Sequence, residues 1–214
     1  MANVNVAFGL RPVGVVGSAP NSTGTTEYRI ASTNTNAIYQ GAPVIPLSTG
    51  FIDRVGAASG GTVGILGVFW GCEYISSTTG KKTWSNYWPG SGANSLYPVR
   101  AFVYDNPLQT FVIATSNVNT SWDTEAELRA AVFANANFAG AQSGSTITGI
   151  SSATLDVQTI ADTNTLNLRI MGIQEDPENS DFSVAGIPVI VRLNNHYNSP
   201  NGSIAGGTVS TTGV

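Results

Sequence analysis

The 214 residues hold one imidazole, His196, and one thiol, Cys72. A Ser-His-Asp or Cys-His site needs an imidazole beside its nucleophile, so any such site must use His196, in the run Asn194-Asn195-His196-Tyr197. No serine stands in a G-x-S-x-G setting. Cys72 follows Trp70-Gly71 inside an apolar run. Both residues read as structural, His196 donating from its ring to a loop carbonyl and Cys72 packing as a small apolar side chain. A multi-histidine metal centre and an internal disulfide are excluded by the same two counts.

Glu175, Asp176, Glu178 and Asp181 are oxygen donors of the kind calcium takes. Their spacing is not D-x-D-x-D-G, and Pro177 stiffens the turn, so a solvated loop is the simpler reading. Thirteen acids and four tryptophans would permit a paired-carboxylate glycosidase with stacking platforms, yet no spacing selects a pair. Trp84 and Trp88, in Thr83 to Pro89, read instead as anchors of a long loop or a subunit contact. No glycine run opens a helix ahead of a lysine, so a phosphate loop is absent and no cofactor is implied. Lys81 and Lys82 read as a charged hairpin tip.

The elements that must position these residues follow from composition. Charged residues are 10% of the chain, against roughly 25% in an ordinary soluble domain, while the hydrophobic share of 42% is close to normal. With 24 Gly and 10 Pro in short clusters, the chain favours strands and tight turns over bundles. The balance of 9 basic against 13 acidic residues, with no Lys/Arg run, makes nucleic acid and anionic membrane poor partners. No stretch approaches the roughly 18 apolar residues of a membrane span, and the opening residues lack a signal-peptide pattern.

Strands are predicted at 28–31, 38–47, 63–74, 99–104, 110–114, 152–158, 166–173 and 188–193. Pro43 and Pro46 should confine theirs to a sheet edge or a bulge. A single helix of about 10 to 13 residues is predicted within 121–138, with Ser121 as a capping candidate and Leu128, Ala131 and Val132 on one face. The fold class is therefore mainly β, a single β-barrel or β-sandwich domain with one short helix and extended N- and C-terminal arms. Residues 1–26 form the first arm, 27–198 the β-rich core, and 199–214 a flexible tail. The arms, with Arg11 as their one charge, suit strand addition to a neighbour's sheet edge, with Phe8 and Leu10 as anchors.

Several runs, in order, resemble one family. Ala7-Phe8-Gly9-Leu10-Arg11-Pro12 resembles the AFGxRPV opening of a widespread group of structural proteins of tailed bacteriophages. Ile38-Tyr39-Gln40-Gly41, Gly67-Val68-Phe69-Trp70-Gly71, Trp88-Pro89-Gly90, Val103-Tyr104-Asp105-Asn106-Pro107, Leu168 to Ile173 and Leu193 to His196 continue the series across residues 7 to 197. Asn106 stands where the family often has a second Asp. The resemblance implies a non-enzymatic virion protein, most like a head decoration (cement) protein bound outside the major capsid lattice, often as a trimer. It implies the major capsid protein and further copies of the chain as partners, synthesis in the bacterial cytoplasm, and a place on the capsid exterior. Phe8, Leu10, Arg11 and Pro12, with Trp84 and Trp88 as a second contact, are then the candidate capsid or subunit contacts. A tail- or fibre-associated subunit is the alternative, and a carbohydrate-active enzyme a more distant one.

Overall fold

In the computed structural model, residues 3, 6–17, 24–57, 64–116, 122–199, 203–204 and 208–209 are described. The protein is mainly β, with two antiparallel sheets stacked in a sandwich-like arrangement. The strands are β1 (Arg11–Val15), β2 (Thr26–Ile30), β3 (Pro43–Pro46), β4 (Ile52–Arg54), β5 (Gly67–Ile75), β6 (Lys82–Ser85), β7 (Val99–Tyr104), β8 (Gln109–Ala114), β9 (Asn135–Ala139), β10 (Thr154–Ala161), β11 (Leu168–Ile173) and β12 (Pro188–Leu193). Near the C-terminus, β13 (Ser203–Ile204) pairs with β14 (Thr208–Val209).

The first sheet runs β1-β8-β12-β11-β9-β10. It curls around a core of Leu10, Phe111, Ile113, Leu155, Leu168, Ile170, Val189, Val191 and Leu193. An isolated bridge from Thr115, just past β8, to Leu155 on the end strand β10 draws the sheet round without closing a barrel. Period-two alternation makes this possible. In β12, Val189, Val191 and Leu193 point inward while Ile190 and Arg192 point out. The second sheet runs β2-β7-β5-β3-β4, with β6 added to β5. Its core holds Ile30, Ile38, Val44, Phe69, Cys72, Trp88, Val99, Ala101 and Val103. Val68 enters the first core and Phe69 the second, so adjacent residues of β5 join the two.

The helix is shorter than predicted. It spans Glu125–Ala130, capped by Thr124 in a reciprocal box with Glu127, and not by Ser121. Leu128 and Ala131 bury against the first core, residues 131–133 turn, and the end of the predicted segment, from Asn135, becomes β9. Among the described residues no helix is long and apolar enough to cross a membrane.

Two expectations change. Pro43 and Pro46 do not mark an edge, because β3 lies between β4 and β5. It pairs with β5 only through Pro43 and Val44, so the sheet needs little from the missing N–H groups. The predicted N-terminal arm is likewise partly built into the chain's own sheet, as β1 pairs with β8 through Arg11, Pro12, Gly14 and Val15. Residues 18–23 of that arm, and most of the predicted tail, lie outside the described residues.

Candidate interaction surface

The N-terminal motif divides its residues between core and surface. Gly9 takes φ 68°, and a Cβ there would stand 2.9 Å from the Gly41 carbonyl oxygen, so only glycine permits the crossing of 7–10 over 39–42. The Leu10 N–H then donates to that oxygen at 2.9 Å, and the Leu10 side chain is fully buried. Leu10 is therefore not an anchor for a partner; it fills the chain's own first core. Pro12 is half-buried in β1 opposite Phe111.

Phe8 and Arg11 remain available. The Arg11 guanidinium lies 4.5 Å above the Phe8 ring, within cation–π range, and Arg11 is exposed. Both line a cleft of about 530 Å³, with Val6 and Ala7 on one wall and Thr148 and Ile150 on the other.

Trp84 and Trp88 part company. Trp88 is fully buried, its Nε1 donates to the Asn34 carbonyl at 3.3 Å, and Tyr74 meets it edge-on at 5.5 Å. It serves the core, which corrects its assignment as a contact. Trp84 is 64% exposed. It stacks on Phe102 with ring centroids 5.7 Å apart, and Lys82 Nζ sits 5.6 Å from its ring. Lys82 also pairs with Glu73, whose carboxylate is almost fully covered. The other two tryptophans pack locally, Trp70 edge-on to Tyr104 and Trp122 against the first core, so the four share no platform.

The residues with catalytic potential are enclosed. Burial holds the Cys72 thiol up at about 12, and its Sγ donates to the Tyr87 carbonyl at 3.4 Å. His196 is buried where the chain passes from β12 back towards the second sheet, bridged to Ile65. Its Nδ1 accepts the Asn198 N–H at 3.1 Å, which leaves the proton of the neutral ring on Nε2, an atom without a partner. The expected donation to a loop carbonyl is absent. Burial foremost, and then Arg192, hold its pKa down at about 4, against the opposing pull of Asp105.

In the acidic loop, Asp176 caps a 3-10 turn at 177–179, accepting from the Glu178 N–H and from Asn179 Nδ2. Asp181 accepts from Ser183. Glu125, Glu175 and Asp176 line a cleft of about 300 Å³, but Glu125 is paired with Arg129 and Asp176 with its own turn. Among the described residues no group of three His, Cys, Asp or Glu is arranged to hold a metal ion.

The motifs that are scattered in sequence meet in space. The Gly41 N–H donates to the Phe69 carbonyl at 2.8 Å, directly beside the Leu10 contact. A Cβ on Gly67 would fall 2.3 Å from the Tyr104 carbonyl oxygen. Ile65 exchanges backbone bonds with Asn195 and Tyr197, both at 2.8 Å. Four of the sequence runs thus form one junction between the sheets. No protein-family model matches the chain, and no curated protein or solved structure matches it.

Proposed function

We propose that this chain is a non-enzymatic virion structural protein of a tailed bacteriophage, a head decoration (cement) protein. It binds the outside of the major capsid lattice as an oligomer, the trimer being the form the resemblance implies. The observation that carries the reading is the convergence of the motif series on the sheet junction, where Gly9, Gly41 and Gly67 allow backbones to touch. Runs that build one junction form one structural unit, which supports reading them as one pattern. The enclosed Cys72 and neutral, buried His196 also suit a protein that assembles and does no chemistry.

Two surface features are the capsid contacts in this reading: exposed Arg11 over half-buried Phe8 at their cleft, and Trp84 on its Phe102 base. Repeated small contacts, multiplied by the oligomer, give avidity without one large interface. Because Leu10 belongs to the core, removing residues 1–12 would damage the fold and test nothing. Point variants are the proper probe. Phe8→Ala with Arg11→Glu, or Trp84→Ala, should keep the wild-type melting temperature within a few degrees and lower the occupancy of isolated capsids at least tenfold. Normal occupancy by all of these variants overturns the contact assignment. The copy number in a density map of the intact particle tests the role itself. Hundreds of copies on the head support decoration, and a few dozen on the tail place the protein there instead.

A further inference from the structure

The outward side of the first sheet holds two arginines with no acid to meet them. Arg169 on β11 and Arg192 on β12 are directly opposed in register. Like charges so placed repel across a strand pair. Arg169 donates from Nε to Asn135 Oδ1 at 3.1 Å, a neutral acceptor, while Arg192 Nε is buried with no hydrogen-bond partner. The ion pairs among the described residues are Lys82–Glu73, Arg100–Glu27 and Arg129–Glu125, none of which involves this pair. Burial, and then Arg169, depress the Arg192 pKa, as expected of a cation lacking its counter-charge.

Phe133 adjoins this pair, since its N–H donates to the carbonyl of Ile170, the residue after Arg169. It is the one non-glycine residue with positive φ, 78°, among the described residues, and it is 72% exposed. A left-handed backbone at a bulky residue is strained. The isolated chain gains almost no burial from the ring in return.

The acids of the chain gather elsewhere. Asp123, Glu125, Glu127, Glu175, Asp176, Glu178 and Asp181 are seven of its thirteen. Glu125 and Glu175 line the same cleft, and Arg129 is the only base within these two segments. This acidic end caps the β11–β12 hairpin beyond the Ile173–Val189 pair, whereas Arg169–Arg192 lies towards the opposite end. Glu175 lies six positions beyond Arg169, past the end of β11 at Ile173, roughly 20 Å along an extended chain at about 3.3 Å per residue. That span exceeds the reach of an arginine, so the chain cannot neutralise the pair with its own acidic loop.

We propose that the Arg169–Arg192 face, flanked by Phe133, docks the acidic end of a second copy of this chain, around Glu175 and Glu178. The contact is head-to-tail, joining different surfaces of the two copies, so it closes into a ring or runs on. The inference deepens the self-association within the proposed function and is independent of the capsid. Its experiment contains no capsid, so its failure leaves that part of the reading standing.

Sedimentation velocity of the full chain, read with circular dichroism and thermal melting, tests it. The wild type should sediment as an oligomer at low salt and dissociate as salt rises. Arg169→Glu with Arg192→Glu should sediment as a folded monomer, and so should Glu175→Lys with Glu178→Lys. Mixing these two variants should restore association, because each then offers the charge the other needs. If the glutamates unfold the sheet, Arg169→Gln with Arg192→Gln should still weaken association roughly tenfold or more. Phe133→Gly separates contact from fold, since it should leave the melting temperature unchanged or raised while association weakens. A wild type that is monomeric throughout overturns the proposal. Charge-reversed variants that associate as the wild type does, or a mixture of folded variants that stays monomeric, would also overturn it.

Discussion

The outward faces of the two sheets carry similar inventories, basic side chains beside a large exposed aromatic, and dispose of them in opposite ways. On the second sheet Lys82 meets Glu73, Arg100 meets Glu27, and Trp84 lies flat on Phe102. On the first, Arg169 faces Arg192 with neither in an ion pair, and Phe133 stands out on a left-handed backbone. Position alone accounts for much of this contrast. Glu73 and Trp84 are opposed in the β5–β6 register, so the hairpin brings charge and aromatic partners together locally. The corresponding positions of β11 and β12 hold two arginines, and local pairing only brings like to like. A face that satisfies itself can meet a partner through aromatic area, whereas a face that does not must find its counter-charges outside the chain.

The largest effect that would break this contrast lies beneath the second sheet. Trp88→Ala should cost about 3–5 kcal/mol, as a large aromatic leaves a packed core. Trp84→Ala, on the open face, should cost less than about 1 kcal/mol. Chemical denaturation of the two variants reads both. Equal losses would mean that the exposed tryptophan is structural and that the second face is not free for a partner.

Acid should act next, through His196 at the end of β12. Its folded pKa is depressed to about 4 from 6.5. The unfolded chain therefore binds this proton first, and stability is complete above pH 6.5 and falls as pH drops towards 4. The loss is on the order of 3 kcal/mol if the whole shift is expressed. His196→Gln should flatten the fall of the denaturation midpoint between those limits. An unchanged slope in that variant assigns the acid sensitivity to carboxylates.

The smallest effects sharpen the comparison most directly. Lys82→Met leaves the covered Glu73 carboxylate without its cation and should cost about 1–2 kcal/mol, limited by the half of Lys82 that is in water. Arg192→Met removes a partly buried charge with no partner and should leave the isolated chain within about 1 kcal/mol of wild type, or more stable. Thermal melts of the two variants at one salt concentration suffice. If Arg192→Met destabilises more than Lys82→Met, the two faces do not differ as described.

Alternation made the inner strands readable. Val99–Tyr104 and Pro188–Leu193 coincide with β7 and β12, because each puts apolar residues on every second position. Six strands escaped the pattern: β1, β4, β6 and β9, with the two-residue β13 and β14 in the predicted tail. In β9, Asn135-Ala136-Asn137 has poor strand propensity and is held by side-chain bonds that no period reveals, Asn135 Nδ2 to the Thr163 carbonyl and the Asn137 N–H to Thr159 Oγ1. At the candidate surface, Phe8, Arg11 and Trp84 were visible as residue types, but the half-burial of Phe8 and the exposure of Arg11 and Trp84 were not. Leu10 and Trp88 look no different in sequence from Phe8 and Trp84. The one readable cue for Trp88 was Gly90, whose φ of 80° lets the chain pass close to the Thr35 carbonyl. Phe133 left no signal, since a strained aromatic is written with the same letter as a relaxed one.

The pairing of β1 with β8 also has a consequence in time. Val15 leaves the ribosome well before its partner Gln109 does, and at about 5–20 residues per second the wait is roughly 5–20 s. Through that interval the nascent chain carries a strand whose hydrogen-bonding edge has nothing to join. Pro12, which offers no N–H, Gly14, which has no side chain to zip, and charged Arg11 make it a poor template for the same strand on a neighbouring nascent chain. The same three residues that later complete the sheet thus keep neighbouring nascent chains from tangling.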